Sequence, residues 1–261
     1  MPVAAIVPAA GRGERLGGDL PKALHEVRGH PLVWHAVDAL ARGAQLLEVV
    51  VVAPREHAGP MTDALVDVAV PTRVVAGGAS RQASVAAGLD ALDPRADLVL
   101  VHDAARPLLP PAMVARVVAA LAAGAEGVVP VVPAVDTIKQ VDDAGLVVAT
   151  LVRSNLRMVQ TPQGFRRDVL ARAHACARAA GVVDASDDAT LLERLGRPVR
   201  TVAGDGYAFK VTHPVDLTLL DLLLGGSAGR LDRHRDRQED ERDQDAPSLQ
   251  GGGHGDERSR G

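Results

Sequence analysis

The chain has 261 residues, 47% of them hydrophobic and only 2% aromatic, with a formal net charge of −4. That balance argues against a general binder of nucleic acid or anionic membrane, which needs a positive surface. The one cysteine, Cys176, rules out an internal disulfide and fits a reducing compartment.

A core of Ala, Val and Leu packs small side chains and suits alternating strand and helix units in close contact. Cys176 lies in Ala-rich helical sequence and is expected to be buried and inert. No basic stretch precedes the first apolar run, so a signal peptide is not expected. The apolar region from Val114 to Val135 is broken by Arg116, Glu126, Pro130 and Pro133, which argues against a membrane span. The expectation is a soluble, cytoplasmic protein.

In chain order, Val3 to Val7 reads as a buried strand. The stretch Pro8-Ala9-Ala10-Gly11-Arg12-Gly13-Glu14-Arg15 follows it and runs on to Pro21-Lys22. Glycine tolerates φ > 0 and has no Cβ, so such a loop can bring backbone N–H groups onto phosphate. Arg15 and Lys22 add two cations. No Gly-Lys-Ser/Thr occurs, which excludes a P-loop. Leu16 stands where the dinucleotide fingerprint needs its third glycine.

Pro31 to Arg42 is predicted helical, with Leu32, Val33, Val37 and Leu40 in helical register and Trp34 and His35 as packing residues. Glu48 to Ala53 is a strand. Roughly Gly59 to Val68 is a helix, and Thr72 to Ala76 a strand. Gly77-Gly78 turns the chain into a helix from about Ser80 to Leu92. Asp97 to His102 is a strand that runs into Asp103-Ala104-Ala105-Arg106-Pro107. Pro111 to Ala123 is a helix, and Gly127 to Val132 a strand. This alternation predicts an α/β, Rossmann-like fold: a mostly parallel sheet with helices on both faces. Ligands bind outside the carboxyl ends of such strands. The loop at 8–22, Gly77-Gly78 and Asp103 to Arg106 all follow strand ends and are expected to converge on one crevice.

From 134 to 157 the pattern changes. Ala134 to Gln140 and Leu146 to Val152 flank Asp142-Asp143-Ala144-Gly145, which predicts a β-hairpin. It is expected to project as an arm and to meet a partner subunit. Arg167 to Ala180 and Asp187 to Leu195 read as helices, the second capped by Ser186. Val199 to Ala203 and Ala208 to Thr212 read as strands, and Pro214 to Leu224 as the last helix. One domain is expected over 1–224. The charged stretch 225–261, almost without apolar residues, is expected to be a disordered tail.

Lys22, Lys139 and Lys210 are the only lysines in an arginine-rich chain. A compact ammonium does what a planar guanidinium does not where one phosphate oxygen must be touched, so all three are candidates.

Several motifs occur together: Ala9-Ala10-Gly11-x-Gly13-x-Arg15 with Pro21-Lys22, Gly77-Gly78-x-x-Arg81-x-x-Ser84, His102-Asp103-Ala104-Ala105-Arg106-Pro107, Asp136-Thr137-x-Lys139, Thr161-Pro162-Gln163 and Lys210-Val211-Thr212-x-Pro214. In this order and spacing, over about residues 2–224, the chain resembles the 2-C-methyl-D-erythritol 4-phosphate cytidylyltransferases of non-mevalonate isoprenoid biosynthesis. The resemblance implies that a polyol phosphate attacks the α-phosphorus of CTP and pyrophosphate leaves, with Mg²⁺ as cofactor. A phosphate dianion needs no strong base, so catalysis reduces to alignment and charge stabilisation.

By the same resemblance, Arg15 and Lys22 stabilise the transition state. Ala9, Ala10, Gly11 and Gly13 cradle the nucleotide, and Gly78 and Ser84 read cytosine and ribose. Asp103 binds polyol hydroxyls or metal, and Arg106 holds its loop. Arg153 and Lys210 position the substrate phosphate. Thr137 lies on an arm that crosses a homodimer.

The chain departs from the family pattern in places. Ala208-Phe209 replaces a frequent Asn-Ile, and Ala79 a frequent acidic residue. Ser186-Asp187-Asp188-Ala189 stands for Thr-Asp-Glu/Asp-Ala. The rival readings are a ribitol 5-phosphate cytidylyltransferase, a sugar-1-phosphate nucleotidyltransferase using another base, and a non-catalytic nucleotide-binding scaffold.

Overall fold

The computed structural model describes residues 1–11 and 20–226. Gly13 and Arg15, and the expected tail from residue 227 onward, lie outside the described residues. The chain divides into two units at Leu220, the first being Met1–Leu220, which is compact.

The strands are β1 (Val3–Pro8), β2 (Glu26–Val27), β3 (His30–Pro31), β4 (Leu46–Ala53), β5 (Thr72–Ala76), β6 (Leu98–Val101), β7 (Gly127–Pro133), β8 (Lys139–Val141), β9 (Val147–Thr150), β10 (Arg157–Val159), β11 (Gln163–Arg166) and β12 (Val199–Ala203). The helices are α1 (Leu32–Gly43), α2 (Ala58–Asp63), α3 (Arg81–Ala91), α4 (Pro111–Ala122), α5 (Arg167–Ala179), α6 (Asp188–Arg194) and α7 (Pro214–Gly225).

Among the described residues, eight strands form one sheet in the order β10-β7-β11-β6-β1-β4-β5, with β12 also paired to β7. β1 is parallel to both β4 and β6, and β4 is parallel to β5. β11 is antiparallel to β6 and β7, so the sheet is mixed around a parallel centre. Because β1 feeds β4 on one side and pairs with β6 on the other, the strand order reverses there. A crevice opens at such a point, at the carboxyl ends of the strands.

The centre of the sheet is apolar on both faces. Val3, Ala5 and Val7 of β1 pack with Val49 and Val51 of β4 against Val33, Val37 and Leu40 of α1 and Val114 and Val117 of α4. The alternate residues, Ala4, Ile6, Val50 and Val52, pack against Val85 and Leu89 of α3. Phe165, fully buried, joins that second core with Leu170 of α5 and Leu192 of α6. The period-two side-chain alternation of a strand sends successive residues of one run to opposite cores, which explains runs that are apolar throughout.

Four local expectations are corrected. α2 ends at Asp63 rather than near Val68: Leu65 and Val66 bond back three residues, to Thr62 and Asp63, so the chain leaves the α-helical ladder in turns. α6 is capped by Asp187, not Ser186; the Asp187 carboxylate accepts from the Thr190 amide at 2.9 Å. Residues 208–212 form no strand. They make isolated bonds instead, such as Val211 N–H to the Ala105 carbonyl at 2.8 Å. Cys176 is exposed, because the buried stripe of α5 runs through Leu170, Ala173, His174 and Ala177 and misses position 176.

Residues 139–150 do form an antiparallel pair, β8 with β9, in a two-stranded sheet separate from the main one. Its strands are shorter than the apolar pattern indicated. Asp142 builds the turn: its carboxylate accepts from the Ala144 and Leu146 amides at 3.0 and 2.9 Å. Among the described residues, no helix is long and apolar enough to cross a membrane.

Candidate active site

A cleft of about 380 Å³ lies at the carboxyl ends of β1, β5 and β6. Pro8, Ala9, Ala10 and Gly11 form one wall and Gly78 to Arg81 with Ser84 another, while Asp103, Ala104 and Ala105 line it from the end of β6. Lys22 and Lys210 bring ammonium groups to it from distant parts of the chain.

Local chemistry shapes each wall. Ser80 caps α3, accepting from the Ala83 amide at 3.1 Å. The Ser84 hydroxyl donates to the Ser80 carbonyl at 2.9 Å and accepts from the Gly78 amide at 3.2 Å, so it fixes the turn that presents Gly78. A Cβ at Gly77 would stand 2.9 Å from Ser84 Oγ and 3.1 Å from the Ala10 Cβ. Glycine at that position lets the two loops close against each other.

Asp103 is the electrostatic centre. Its Oδ2 accepts from Lys210 Nζ at 2.8 Å, with Arg106 Nε at 3.9 Å; its Oδ1 lies 3.8 Å from Arg81 Nε. Burial by itself raises this carboxyl, but Lys210 first, then Arg81 and Arg106, outweigh it and hold it down at about 2. The Asp103 amide donates to Thr161 Oγ1 at 3.1 Å. That hydroxyl also meets Nδ1 of the fully buried His102 at 2.9 Å, whose Nε2 faces the Arg106 carbonyl at 3.1 Å. Burial pushes His102 down to about 4, so the ring is neutral near pH 7. A hydroxyl proton given to Nδ1 and an Nε2–H given to Arg106 satisfy every group in that chain.

Arg106 does not line the cleft. It lies behind the Asp103 loop and donates to the Ala208 carbonyl at 2.6 Å, tying the loop before Lys210 to the loop after β6. Lys22 Nζ donates to the Val211 carbonyl, drawing the end of the first loop to the same segment. Arg153 and Thr137 also lie away from the cleft lining. Arg153 donates to the Val135 carbonyl at 2.8 Å, and Thr137 is exposed just before β8. Lys139 donates to Thr150 Oγ1 at 2.7 Å across the β8–β9 pair.

Of the residues singled out in the sequence, the structure brings together Ala9, Ala10, Gly11, Lys22, Gly78, Ser84, Asp103 and Lys210. Gly13 and Arg15 are outside the described residues. Arg81, which closes the Gly77-Gly78-x-x-Arg81 motif, also lines the cleft, and its guanidinium bridges the cleft to the interior. The fixed spacing Gly77-Gly78-x-x-Arg81 was the available signal.

The family model for 2-C-methyl-D-erythritol 4-phosphate cytidylyltransferase matches residues 3–225. The chain belongs to the 2-C-methyl-D-erythritol 4-phosphate cytidylyltransferase family. Within it, the chain is 51% identical over 222 residues to the cytidylyltransferase of Nocardia farcinica, covering 85% of this chain and 94% of that one. The enzyme of Frankia casuarinae is 48% identical over 222 residues, covering 85% and 81%. The crystal structure of the Thermus thermophilus cytidylyltransferase superposes with a TM-score of 0.70 at 39% identity, over 85% of this chain and 98% of that one. The 4-diphosphocytidyl-2C-methyl-D-erythritol synthase of Anaerococcus prevotii superposes with a TM-score of 0.75 at 28% identity, over 86% and 98%.

Proposed function

We propose that this chain transfers the cytidylyl group of CTP to 2-C-methyl-D-erythritol 4-phosphate and releases pyrophosphate. The observation that carries the reading, beside family membership, is the cleft where two lysines and glycine-bearing loops meet around Asp103 at the reversal of strand order. Such a cleft offers backbone donors and point charges, which is what a crowded anionic phosphate centre requires.

An oxygen of the substrate phosphate bonds to the α-phosphorus of CTP, and the bond from that phosphorus to the bridging oxygen breaks. The nucleophile is already anionic, so this chain supplies no general base. Ala9, Ala10 and Gly11 direct the nucleotide with their backbone, and Gly78 and Ser84 face cytosine and ribose. Lys22 compensates the charge that builds up on the α-phosphate, with Arg15 assigned beside it by resemblance. Asp103 accepts from polyol hydroxyls while Lys210, already on its carboxylate, holds the substrate phosphate.

Magnesium fits this donor set in a limited way. Among the described residues no cluster of three metal-binding side chains exists, and the carboxylate on the cleft wall is engaged by cations. That suits an ion held mainly by phosphates and water, with Asp103 the carboxylate at hand. Charge neutralisation on the triphosphate is what magnesium supplies when bound.

Arg153 and Thr137 act from the β8–β9 arm of a second subunit in this reading. The arm's exposed apolar side chains support such an arrangement: Val135, Leu146 and Val152 are 66–70% exposed. An apolar arm in water gains by burial against a second copy.

The test is pyrophosphate release from CTP and magnesium with methylerythritol 4-phosphate or ribitol 5-phosphate. Release with the first alone is expected. Release with the second alone reassigns the acceptor. Binding of CTP without release under either condition overturns the enzymatic reading.

A further inference from the structure

We propose that Asp188 and His174, neither of which touches the cleft, are positioning residues for the transfer, acting through Arg81 on Asp103 and Lys210. The proposal rests on the cytidylyl-transfer reading above and concerns how its acceptor side is held.

The structure joins three elements by one ionic chain. Arg81 begins α3 and lines the cleft. Its Nη1 donates to Asp188 Oδ2 at 2.8 Å, while its Nε faces Asp103 Oδ1 at 3.8 Å. The other oxygen of Asp188, Oδ1, meets Nε2 of His174 at 3.0 Å. Asp188 and His174 are 1% and 3% exposed. The chain therefore runs from the interior of α5 to the cleft: His174, Asp188, Arg81, Asp103, Lys210.

Each link restricts the next. A carboxylate accepting from Nε2 requires a proton on that nitrogen, and it fixes the ring and the carboxylate plane against each other. The backbone of Asp188 is itself anchored. Asp187, the preceding residue, takes the Gln163 side-chain amide at 2.7 Å and caps α6, and Gln163 Oε1 accepts from the Ala189 amide at 3.3 Å. A guanidinium is a rigid planar fork, so seating one edge on a buried carboxylate sets the direction of the other. Here that other edge points at Asp103.

Burial of such a set is costly, and well-packed apolar residues commonly do as well for stability. Orientation is what the ionic set adds and an apolar one lacks. Asp188 also balances the Arg81 charge from inside, which leaves Lys210 as the closest cation on Asp103. Without Asp188, Arg81 is released to pair with Asp103 or with a phosphate, and the Asp103–Lys210 pair loses its setting.

The experiment compares D188N, H174Q and H174L with the wild type in full-chain enzyme, measuring kcat and both KM values. Asn keeps the shape of Asp188 and loses its charge. Gln at 174 keeps an N–H for the carboxylate, and Leu does not. For D188N, KM for the polyol phosphate is expected to rise about tenfold, with kcat and the CTP KM within about threefold. H174L should follow in the same direction and H174Q should restore wild-type values. A polyol-phosphate KM within twofold of wild type in D188N overturns the proposal. So does identical behaviour of H174Q and H174L, or a fall in kcat with both KM values unchanged, which is what fewer folded molecules would give.

A second measurement needs no substrate. With ¹⁵N-labelled arginine, the Arg81 Nη1–H signal, which belongs to the group that donates to Asp188 and is identified by its loss in R81K, should be slow to exchange in the wild type and fast in D188N. Equal exchange overturns the proposal even if the wild type proves inactive with both acceptors, an outcome that would count against the cytidylyl-transfer reading instead.

Discussion

A buried glutamine anchors the start of the segment that carries Lys210, and removing that glutamine gives a quantitative test. Gln160 Nε2 donates to the Asp205 carbonyl at 2.8 Å, and its Oε1 accepts from the Asp205 amide at 2.9 Å. The side chain is 6% exposed. Gln160→Ala removes both bonds. A neutral hydrogen bond contributes about 1 kcal/mol net, and the half-buried Asp205 groups can partly recover water, so the expected loss is about 2–3 kcal/mol. For a unit of this size that corresponds to roughly 4–12 °C in Tm.

Gly204 adds a second perturbation at the same place. A Cβ there would run into Gln160 Oε1 and stand 2.9 Å from the Val131 carbonyl oxygen, so Gly204→Ala must push the glutamine aside. Urea unfolding of both single variants and the double variant forms a cycle. The double variant should lose less than the sum of the singles, because the displaced group is already gone. In the same preparations, the KM for the polyol phosphate should rise as Lys210 loses its fixed approach to Asp103. A Gln160→Ala loss below about 0.5 kcal/mol, the scale of ordinary surface substitutions, refutes the reasoning. Strict additivity refutes the proposed contact between the two sites.

Lys22→Ala should lower kcat by about 10²-fold or more with a much smaller change in CTP affinity, because its contact is asked to strengthen in the transition state; equal losses in both remove that role. Arg153→Ala should mainly raise the KM for the polyol phosphate, and an unchanged KM takes Arg153 out of the site. Acidification should destabilise the fold through His102, whose folded value of about 4 lies below the ordinary 6.5. Its stabilising contribution is full above pH 6.5 and is lost as pH falls towards 4, because the unfolded state takes up the proton first. Over that window the loss is about 3 kcal/mol. Urea unfolding between pH 5 and 6 should show a slope about 1.2 kcal/mol per pH unit shallower in His102→Gln; an unchanged slope means that His102 does not stay neutral in the fold.

Much of the parallel centre was legible in the sequence. Runs such as Glu48 to Ala53 are apolar throughout because two cores cover the sheet, and the turn residues between runs mark where strands end. The reversal of direction at β11 was not legible. Gln163 to Phe165 carries no pattern that separates an antiparallel strand from a parallel one, and only its pairing with β6 and β7 decides it. Residues 208–212 have strand composition, but no neighbouring edge takes them up; they are spent on the Asp103 loop and on Lys22. Cys176 illustrates a third limit, since helix phase is set by which stripe the sheet accepts.

The amino-acid sequence by itself determined which chemical groups this protein owns and in what order: a glycine-bearing loop after the first strand, cations after it, an acid after the strand at 97–102, and a lysine near the last helix. It determined family membership for the same reason, since motif order survives without coordinates. The tertiary structure decided which of those groups share a space. Lys210 and Asp103 are 107 positions apart and meet at 2.8 Å, as do Arg81 and Asp188 at the same separation. No local propensity encodes such pairs. They exist because the parallel crossovers return the carboxyl ends of β1, β4, β5 and β6 to one edge of the sheet, where short-range electrostatics can act between residues the chain holds far apart.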